Sequence, residues 1–405
     1  MSVLRLGLIR EGKTPPDKRV PFTPQQVEEI EQRFAHVKVF AQQSEVRCFR
    51  DMEYSAVGVA AVPAVDDCDI LMGIKEVPLT QLIAGKTYLF FSHTIKKQPY
   101  NRKLLQEVLA KKIRLIDYEA LKDKQGNRLV AFGRYAGIVG AFNGLWTYGK
   151  RYGAFDLRRA FECFDVNDLK LELRKVKLPA VKIILTGAGR VGKGAMETLD
   201  TAGIRKVSPQ DYLTRHFNEP VYVQLASADY HTRKDGGHFN REEFHQYPER
   251  YTSHFKDFTA VTDILMAGAF WNPKAPVLFT REEMLSSNFR IKVIADITCD
   301  IGGSIPSTKQ ASTIVDPVYD YDPTTDTVQP AFSKPEFATV MAVDNLPCEL
   351  PRSASEEFGR DLIDRILKPL LVDDPEGIIE RGTIAKDGAL TETFQYLSAY
   401  VKGEE

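Results

Sequence analysis

Residues 181–195, VKIILTGAGRVGKGA, pass from a short apolar run through a glycine-spaced turn into the opening of a helix. That order is the dinucleotide fingerprint in its required context, and it limits what the chain can fold into more than any other stretch. Gly187 permits a tight turn, Gly189 lets backbone amides approach a pyrophosphate, and Gly192 lets the helix pack closely on the strand. Arg190 and Val191 fall in the first helical turn, whose free amides and positive end favour phosphate charge. A purely structural strand-to-helix turn would leave Gly194 unexplained as a further small residue on the buried side of the helix.

Strand-like and helix-like segments alternate on both sides of this motif. Before it come VLRLGLI, a helix from Thr23-Pro24 onward, VKVFA, DILMGI, TYLFFS, a helix near Lys103 to Ala110, and IRLIDY. Such alternation predicts an α/β fold with parallel strands. Residues 134 to about 150 read as a buried helix linking two domains. The strands expected around the fingerprint are VKIILTG, IRKVS, AVTDILMAGA and IKVIADIT. After Asp316-Pro317 the chain turns rich in turn residues, and Ser353 with Glu356 suggests a capping box ahead of an amphipathic helix. The expected architecture is two Rossmann-like domains with a cleft between them. Residues 1–133 form the first part of a substrate and catalytic domain, 134–324 a dinucleotide-binding Rossmann domain, and 325–405 a C-terminal segment that packs back on the first domain.

Fifty-four basic against fifty-five acidic side chains leave a net charge of -1, so no global field draws nucleic acid or an anionic membrane. Arg5 and Arg10 interrupt the N-terminal apolar run too early for a signal peptide, and no apolar segment is long enough to span a bilayer. The expected location is cytoplasmic. Five scattered cysteines, Cys48, Cys68, Cys163, Cys299 and Cys348, show no paired spacing for zinc or a disulfide framework.

The polar stretch ASADYHTRKDGGHFNREEFHQYPERYTSHFKDF holds His231, His238, His245 and His254, four of the seven histidines. Gly236 and Gly237 would break any helix aligning those imidazoles, and the spacing does not suit coordination, so no metal is expected. A solvated excursion rich in turns is expected instead.

Chemistry in open α/β sheets gathers at strand ends. DKRVPFTP places Arg19 before a helix start, GIKEVP places Lys75 and Glu76 after an apolar strand, and FFSHTIKK places His93 and Lys96 after another. LIDYEAL and NRLVAFGRYAG add Glu119, Arg128 and Arg134.

These segments resemble the alanine dehydrogenase, transhydrogenase and lysine-forming saccharopine dehydrogenase superfamily over nearly the whole chain. KTYLFFSHTIKKQ, IRLIDYEAL, RLVAFGRYAG, YPERY, ADITCDIGGSI and VDNLPCELPRSASEEFG are most similar to the lysine-2-oxoglutarate reductase form of saccharopine dehydrogenase. The polar excursion recurs in that branch.

The resemblance implies an oxidoreductase of lysine metabolism. It would condense L-lysine reversibly with 2-oxoglutarate and reduce the imine with hydride from a nicotinamide, giving saccharopine. A product with three carboxylates and two amino nitrogens suits the cations Arg19, Arg128 and Lys96 and the acids Glu76 and Glu119. The family's catalytic lysine and histidine match Lys75, which accepts a proton from the secondary amine, and His93, which shuttles protons near neutrality. Assemblies in the family range from monomers upward, which leaves room for a homo-oligomer.

The acid that usually closes the second Rossmann strand is missing from IRKVSPQDY. Ser208 occupies that position after Arg205 and Lys206, an arrangement that tolerates a 2′-phosphate and tilts the NAD(P) assignment toward NADP. Asp211 would reach a ribose only if the loop folds back. Asp296 and the VDNLP loop, with Asp344 and Asn345, are expected on the cofactor side. Two alternatives stand beside this reading: an alanine dehydrogenase-like enzyme using pyruvate and ammonia, and a sensor that binds NAD(P) without turnover.

Overall fold

A computed structural model describes residues 3–404; Met1, Ser2 and Glu405 lie outside the described residues. The chain forms β1 (Leu4–Leu8), β2 (Val37–Gln42), β3 (Ala60–Val62), β4 (Ile70–Met72), β5 (Thr87–Phe90) and β6 (Arg114–Asp117). Next come β7 (Lys182–Thr186), β8 (Arg205–Lys206), β9 (Val221–Leu225), β10 (His231–Arg233), β11 (Tyr251–Ser253), β12 (Ile264–Ala267) and β13 (Val293–Asp296). The last are β14 (Val318–Asp322), β15 (Thr327–Gln329), β16 (Ala338–Met341), β17 (Thr383–Lys386) and β18 (Ala389–Leu390). They fall into two compact units, one holding the residues up to Phe132 and those from Pro351 onward, the other Gly133–Leu350.

The first unit is built on an eight-stranded sheet ordered β18-β17-β6-β5-β4-β1-β2-β3. The six strands from β6 to β3 are parallel, and β17 and β18 add antiparallel edges. Strands buried on both faces read as near-continuous apolar runs, which is why ILM and TYLF have no polar face. Leu6, Met72, Leu89 and Ile116 pack with Val27, Ile30, Phe358 and Leu362 in one core. Leu71, Tyr88, Phe90 and Leu115 pack with Leu104, Leu105 and Tyr400 in a second. The helix Pro24–Arg33 starts where expected: Thr23 accepts from the Gln26 amide while the Gln26 side chain accepts from that of Thr23.

The C-terminal segment re-enters the first unit at Pro351, not at residue 325. Residues 325–350 stay with the second unit because β16 hydrogen-bonds to both β13 and β14. The helix Pro351–Arg365 begins at its proline, a favoured first-turn residue. Ser353 therefore lies inside the helix and is buried there, rather than capping it as expected. Ser355 and Glu356 bind the N-terminal part of the same unit, through the Val20 amide and the Gln26 side chain.

The second unit carries a sheet ordered β15-β14-β16-β13-β12-β7-β9-β8, parallel from β8 to β16 and antiparallel beyond. The strand beside the fingerprint strand β7 is β9, with Leu225 opposite Thr186. IRKVS supplies only the two-residue edge strand β8, paired to β9. The helix Gly133–Tyr152 packs against the helix Arg190–Thr201 so closely that the backbones touch. A Cβ on Gly137 would stand 1.9 Å from the Val191 carbonyl oxygen, and one on Gly194 1.9 Å from that of Arg134.

The polar excursion is more ordered than expected. It contains the antiparallel pair β10–β11 and buries Tyr230, Phe244, Tyr251 and Phe255. Among the described residues no cluster of His, Cys, Asp and Glu is arranged to hold a metal ion, and no helix is long and apolar enough to cross a membrane.

Candidate active site

In the first unit β1, β4, β5 and β6 run parallel, so their carboxyl ends share one edge of the sheet. The residues just past those ends are Glu11 and Lys13, Lys75 and Glu76, His93 and Lys96, and Glu119.

Glu76 joins two of these loops. His93 donates its Nδ1–H to Glu76 Oε1 over 2.6 Å, and Lys13 Nζ reaches Glu76 Oε2 at 3.0 Å. Burial opposes ionisation of Glu76, but the bond and charge of His93, with the Lys13 bond, hold its carboxyl down at about 2. A carboxylate on Nδ1 leaves Nε2 as the ring nitrogen not bonded to Glu76. The Phe91 ring stacks near the imidazole, with centroids 6.4 Å apart.

The Lys75 backbone is held by a carboxyl group absent from the sequence expectations. Glu11 accepts the Ile74 amide at 2.6 Å and the Lys75 amide at 2.9 Å, one on each oxygen. Burial and the nearby Asp17 push the Glu11 carboxyl up to about 8 against these two bonds. Burial lowers the Lys75 amine below the ordinary lysine value, and the Arg19 charge lowers it further. Among the described residues Lys75 Nζ has no hydrogen bond or ion pair, so it is open to a ligand.

Arg19 differs from expectation. Its guanidinium fork grips Asp17, Nε to Oδ1 at 2.9 Å and Nη2 to Oδ2 at 2.6 Å, and the pair is buried with the Phe132 ring 4.2 Å from the Arg19 carbon. The bidentate grip assigned to a substrate carboxylate is thus taken by a neighbour two residues away. Arg19 acts here as a fixed positive charge beside Lys75.

Glu119 lies between two cations, with Arg128 Nη1 3.4 Å from Oε1 and Lys96 Nζ 3.7 Å from Oε2. Both contacts are long, and Glu119 Oε2 is buried without a hydrogen bond among the described residues, so it retains acceptor capacity for an amine. Glu76, expected among the substrate-binding acids, is instead committed to His93 and Lys13. Arg134 lies in the second unit and pairs with Glu197 at 2.7 Å.

The second unit holds the glycine-spaced fingerprint turn, a candidate phosphate cradle. Gly187 has φ +100, a conformation that side chains rarely adopt. A Cβ on Gly192 would lie 2.1 Å from the Gly187 carbonyl oxygen, whereas one on Gly189 would meet nothing within 4 Å. The turn is therefore closed where helix meets strand and open where a pyrophosphate would approach, and it fits a dinucleotide. Arg190 and Val191 open the twelve-residue helix behind it.

Ser208 does not sit beside this cradle. It caps the short helix Pro209–Thr214 by accepting the Asp211 amide at 3.1 Å, and β8 before it is separated from β7 by β9. The end of the strand adjoining β7 is Leu225, followed by Ala226, Ser227, Ala228 and Asp229, the place where a bound dinucleotide would set its adenosine ribose. Asp229 caps that turn, accepting the Ala226 amide at 2.6 Å. Asp296 is buried, and its carboxylate accepts from Thr298 and Thr308 at 2.6 and 2.7 Å, so it stabilises the turn after β13. Asp344 is exposed.

Residues 7–139 match the family described as the alanine dehydrogenase/PNT N-terminal domain. The mouse protein named mitochondrial alpha-aminoadipic semialdehyde synthase is 30% identical over 99% of this chain and 48% of its own length. The chain spans about half the length of the first such relatives. A Schizosaccharomyces pombe saccharopine dehydrogenase named as NAD(+)-dependent and L-lysine-forming is 27% identical over 89% of this chain and 91% of its own. Among solved structures an L-alanine dehydrogenase superimposes with a TM-score of 0.62 at 16% identity, covering 98% of this chain and 100% of that one.

Proposed function

We propose that this chain is a member of the alanine dehydrogenase/transhydrogenase superfamily and, within it, a lysine-forming saccharopine dehydrogenase. The reaction joins L-lysine, 2-oxoglutarate, a reduced nicotinamide dinucleotide and a proton, and releases saccharopine, the oxidised dinucleotide and water. The observation that carries this reading is the pairing at one sheet edge of an amine with lowered proton affinity, Lys75, and an imidazole held by a carboxylate, His93 on Glu76.

The lysine ε-amine adds to the ketone carbon of 2-oxoglutarate, and loss of water gives an imine. His93 hands a proton to the departing hydroxyl, with Glu76 stabilising the imidazolium before transfer. A reduced dinucleotide held in the second unit would supply hydride for the imine carbon. Lys75 gives its proton to the nitrogen, or takes it back in the oxidative direction. Glu119 Oε2 accepts from a substrate amine, while Arg128, Lys96 and Lys13 attract the carboxylates. Gly187, Gly189, Gly192, Arg190 and Val191 would hold the dinucleotide pyrophosphate.

With Ser208, Arg205 and Lys206 away from the cradle, the tilt toward NADP loses its basis, and discrimination of the ribose passes to Ser227 and Asp229. The test follows absorbance of NADH and NADPH with L-lysine plus 2-oxoglutarate, then with pyruvate plus ammonium. Consumption with the first pair is expected. Consumption only with the second, or dinucleotide binding with no turnover, overturns the assignment.

A further inference from the structure

The ordered excursion shapes a pocket that the proposed chemistry does not use. Thr186 at the end of β7, Ala267 at the end of β12, and Phe270 and Trp271 beyond it line a slot of about 20 Å³, together with His231 and Phe244 of the excursion. That volume has room for about one water, the scale of an amino group rather than a ring. His231 is 5% exposed, its ring packed between Tyr230 and Phe244 with centroids 4.4 and 4.6 Å away. Its Nδ1 lies 3.1 Å from the Ser227 carbonyl oxygen, which can only accept, so Nδ1 carries the hydrogen and Nε2 is the acceptor. Nε2 is buried with no hydrogen-bond partner among the described residues. Burial pushes the imidazole down to about 4, which keeps that acceptor free of a proton. Phe270 is 81% exposed on the same pocket.

A buried acceptor without a donor is costly unless a ligand completes it. The slot lies across the carboxyl ends of β9, β7 and β12 at the fingerprint turn, the part of a Rossmann sheet where the adenosine half of a dinucleotide lies. We propose that this slot reads adenine: the exocyclic 6-amino group donates to His231 Nε2 while the base rests on the Phe270 ring. The proposal rests on the reading that the second unit binds a nicotinamide dinucleotide. It gives the excursion a role in choosing the base.

Hypoxanthine dinucleotides, which carry a carbonyl oxygen in place of the 6-amino group, separate the possibilities. Calorimetric titration of the full chain, without substrates, compares NADH and NADPH with their hypoxanthine counterparts. The hypoxanthine forms are expected to bind about tenfold or more weakly, since two acceptors would then face each other. His231→Phe keeps the ring packing and is expected to abolish that difference, while Phe270→Ala, at an exposed position, weakens both forms alike. Equal dissociation constants in the native chain, or a difference that survives in folded His231→Phe, overturn the proposal and leave the dinucleotide reading standing. Failure of every dinucleotide to bind removes both.

Discussion

One carboxylate oxygen of Asp117 accepts both the backbone amide of Ser92 at 2.9 Å and its hydroxyl at 2.5 Å. Ser92 directly precedes His93, whose backbone is left-handed with φ 52, and the other Asp117 oxygen accepts the Glu119 amide at 2.7 Å. Two site residues on separate loops therefore depend on one fully buried carboxyl at the end of β6.

Asp117→Asn retains the size of the side chain but gives up an acceptor oxygen. Turnover with L-lysine and 2-oxoglutarate is expected to fall at least about tenfold, with a stability loss of about 1–3 kcal/mol. Dinucleotide affinity, set in the other unit, is expected to stay unchanged. Native turnover in a folded variant would show that Asp117 does not position the site.

In the proposed role of base, Lys75 would act only when neutral. Its lowered proton affinity places the rise of saccharopine oxidation with pH below the ordinary lysine value of 10.5. Lys75→Arg substitutes a permanently charged group. Its rate is expected to drop about 10²-fold or more and to lose the alkaline rise. A pH–rate profile that retains the same rise in the variant would assign it to another group.

Glu76 adds a stability signature. Its folded carboxyl sits at about 2 against an ordinary 4.5, so the favourable contribution is complete above the ordinary value and is lost as pH falls toward 2. The shift corresponds to on the order of 3 kcal/mol. Glu76→Gln is expected to be less stable than the native chain at neutral pH, with the gap closing in acid. Urea midpoints at both ends of that range measure it, and a constant gap would contradict the ionic account.

Gly189 and Gly192 separate binding from folding. Gly189→Ala meets no neighbour within 4 Å, so thermal stability is expected to hold while the methyl group obstructs the pyrophosphate and weakens dinucleotide binding about tenfold or more. Gly192→Ala drives a Cβ against the Gly187 carbonyl and is expected to lower the melting temperature as well. Unaltered affinity in Gly189→Ala would show that no phosphate approaches there.

Asp229→Asn keeps the cap on the Ala226 amide and removes a negative charge from the ribose side. The ratio of Kd for NADPH to Kd for NADH is expected to fall, because the 2′-phosphate no longer faces a carboxylate. Ser208→Ala, at the sheet edge, leaves that ratio unchanged. The opposite pattern would restore Ser208 to the ribose.

The α/β class and the fingerprint turn are plain in the sequence because both rest on local pattern: apolar runs of strand length and glycines at fixed spacing. Sheet order is not local. IRKVS follows the fingerprint helix and so looks like its partner strand, yet VYVQL wins the place beside β7 through a full five-residue register. The β-branched and aromatic run Val221-Tyr222-Val223 after Pro220 was the available signal.

Within the site, Lys75, His93, Lys96 and Glu119 were legible as polar residues directly after apolar strands. Glu11 and Asp117 were not, since their work is to hold backbone amides, and which amides they hold depends on neighbouring strands far away in sequence. The fork of Arg19 on Asp17 is hidden from the sequence for a related reason. Asp17 lies only two residues upstream, but a tight pairing at that spacing is decided by burial, which the sequence does not display.

The contact between the helices Gly133–Tyr152 and Arg190–Thr201 carries a consequence for how this protein can change over generations. The obstacles facing Gly137 and Gly194 are main-chain carbonyls, which every amino acid possesses, so no second substitution nearby can trim them away to rescue a first. Drift can reshape the pockets through their side chains, but at these two positions it has no stepwise route.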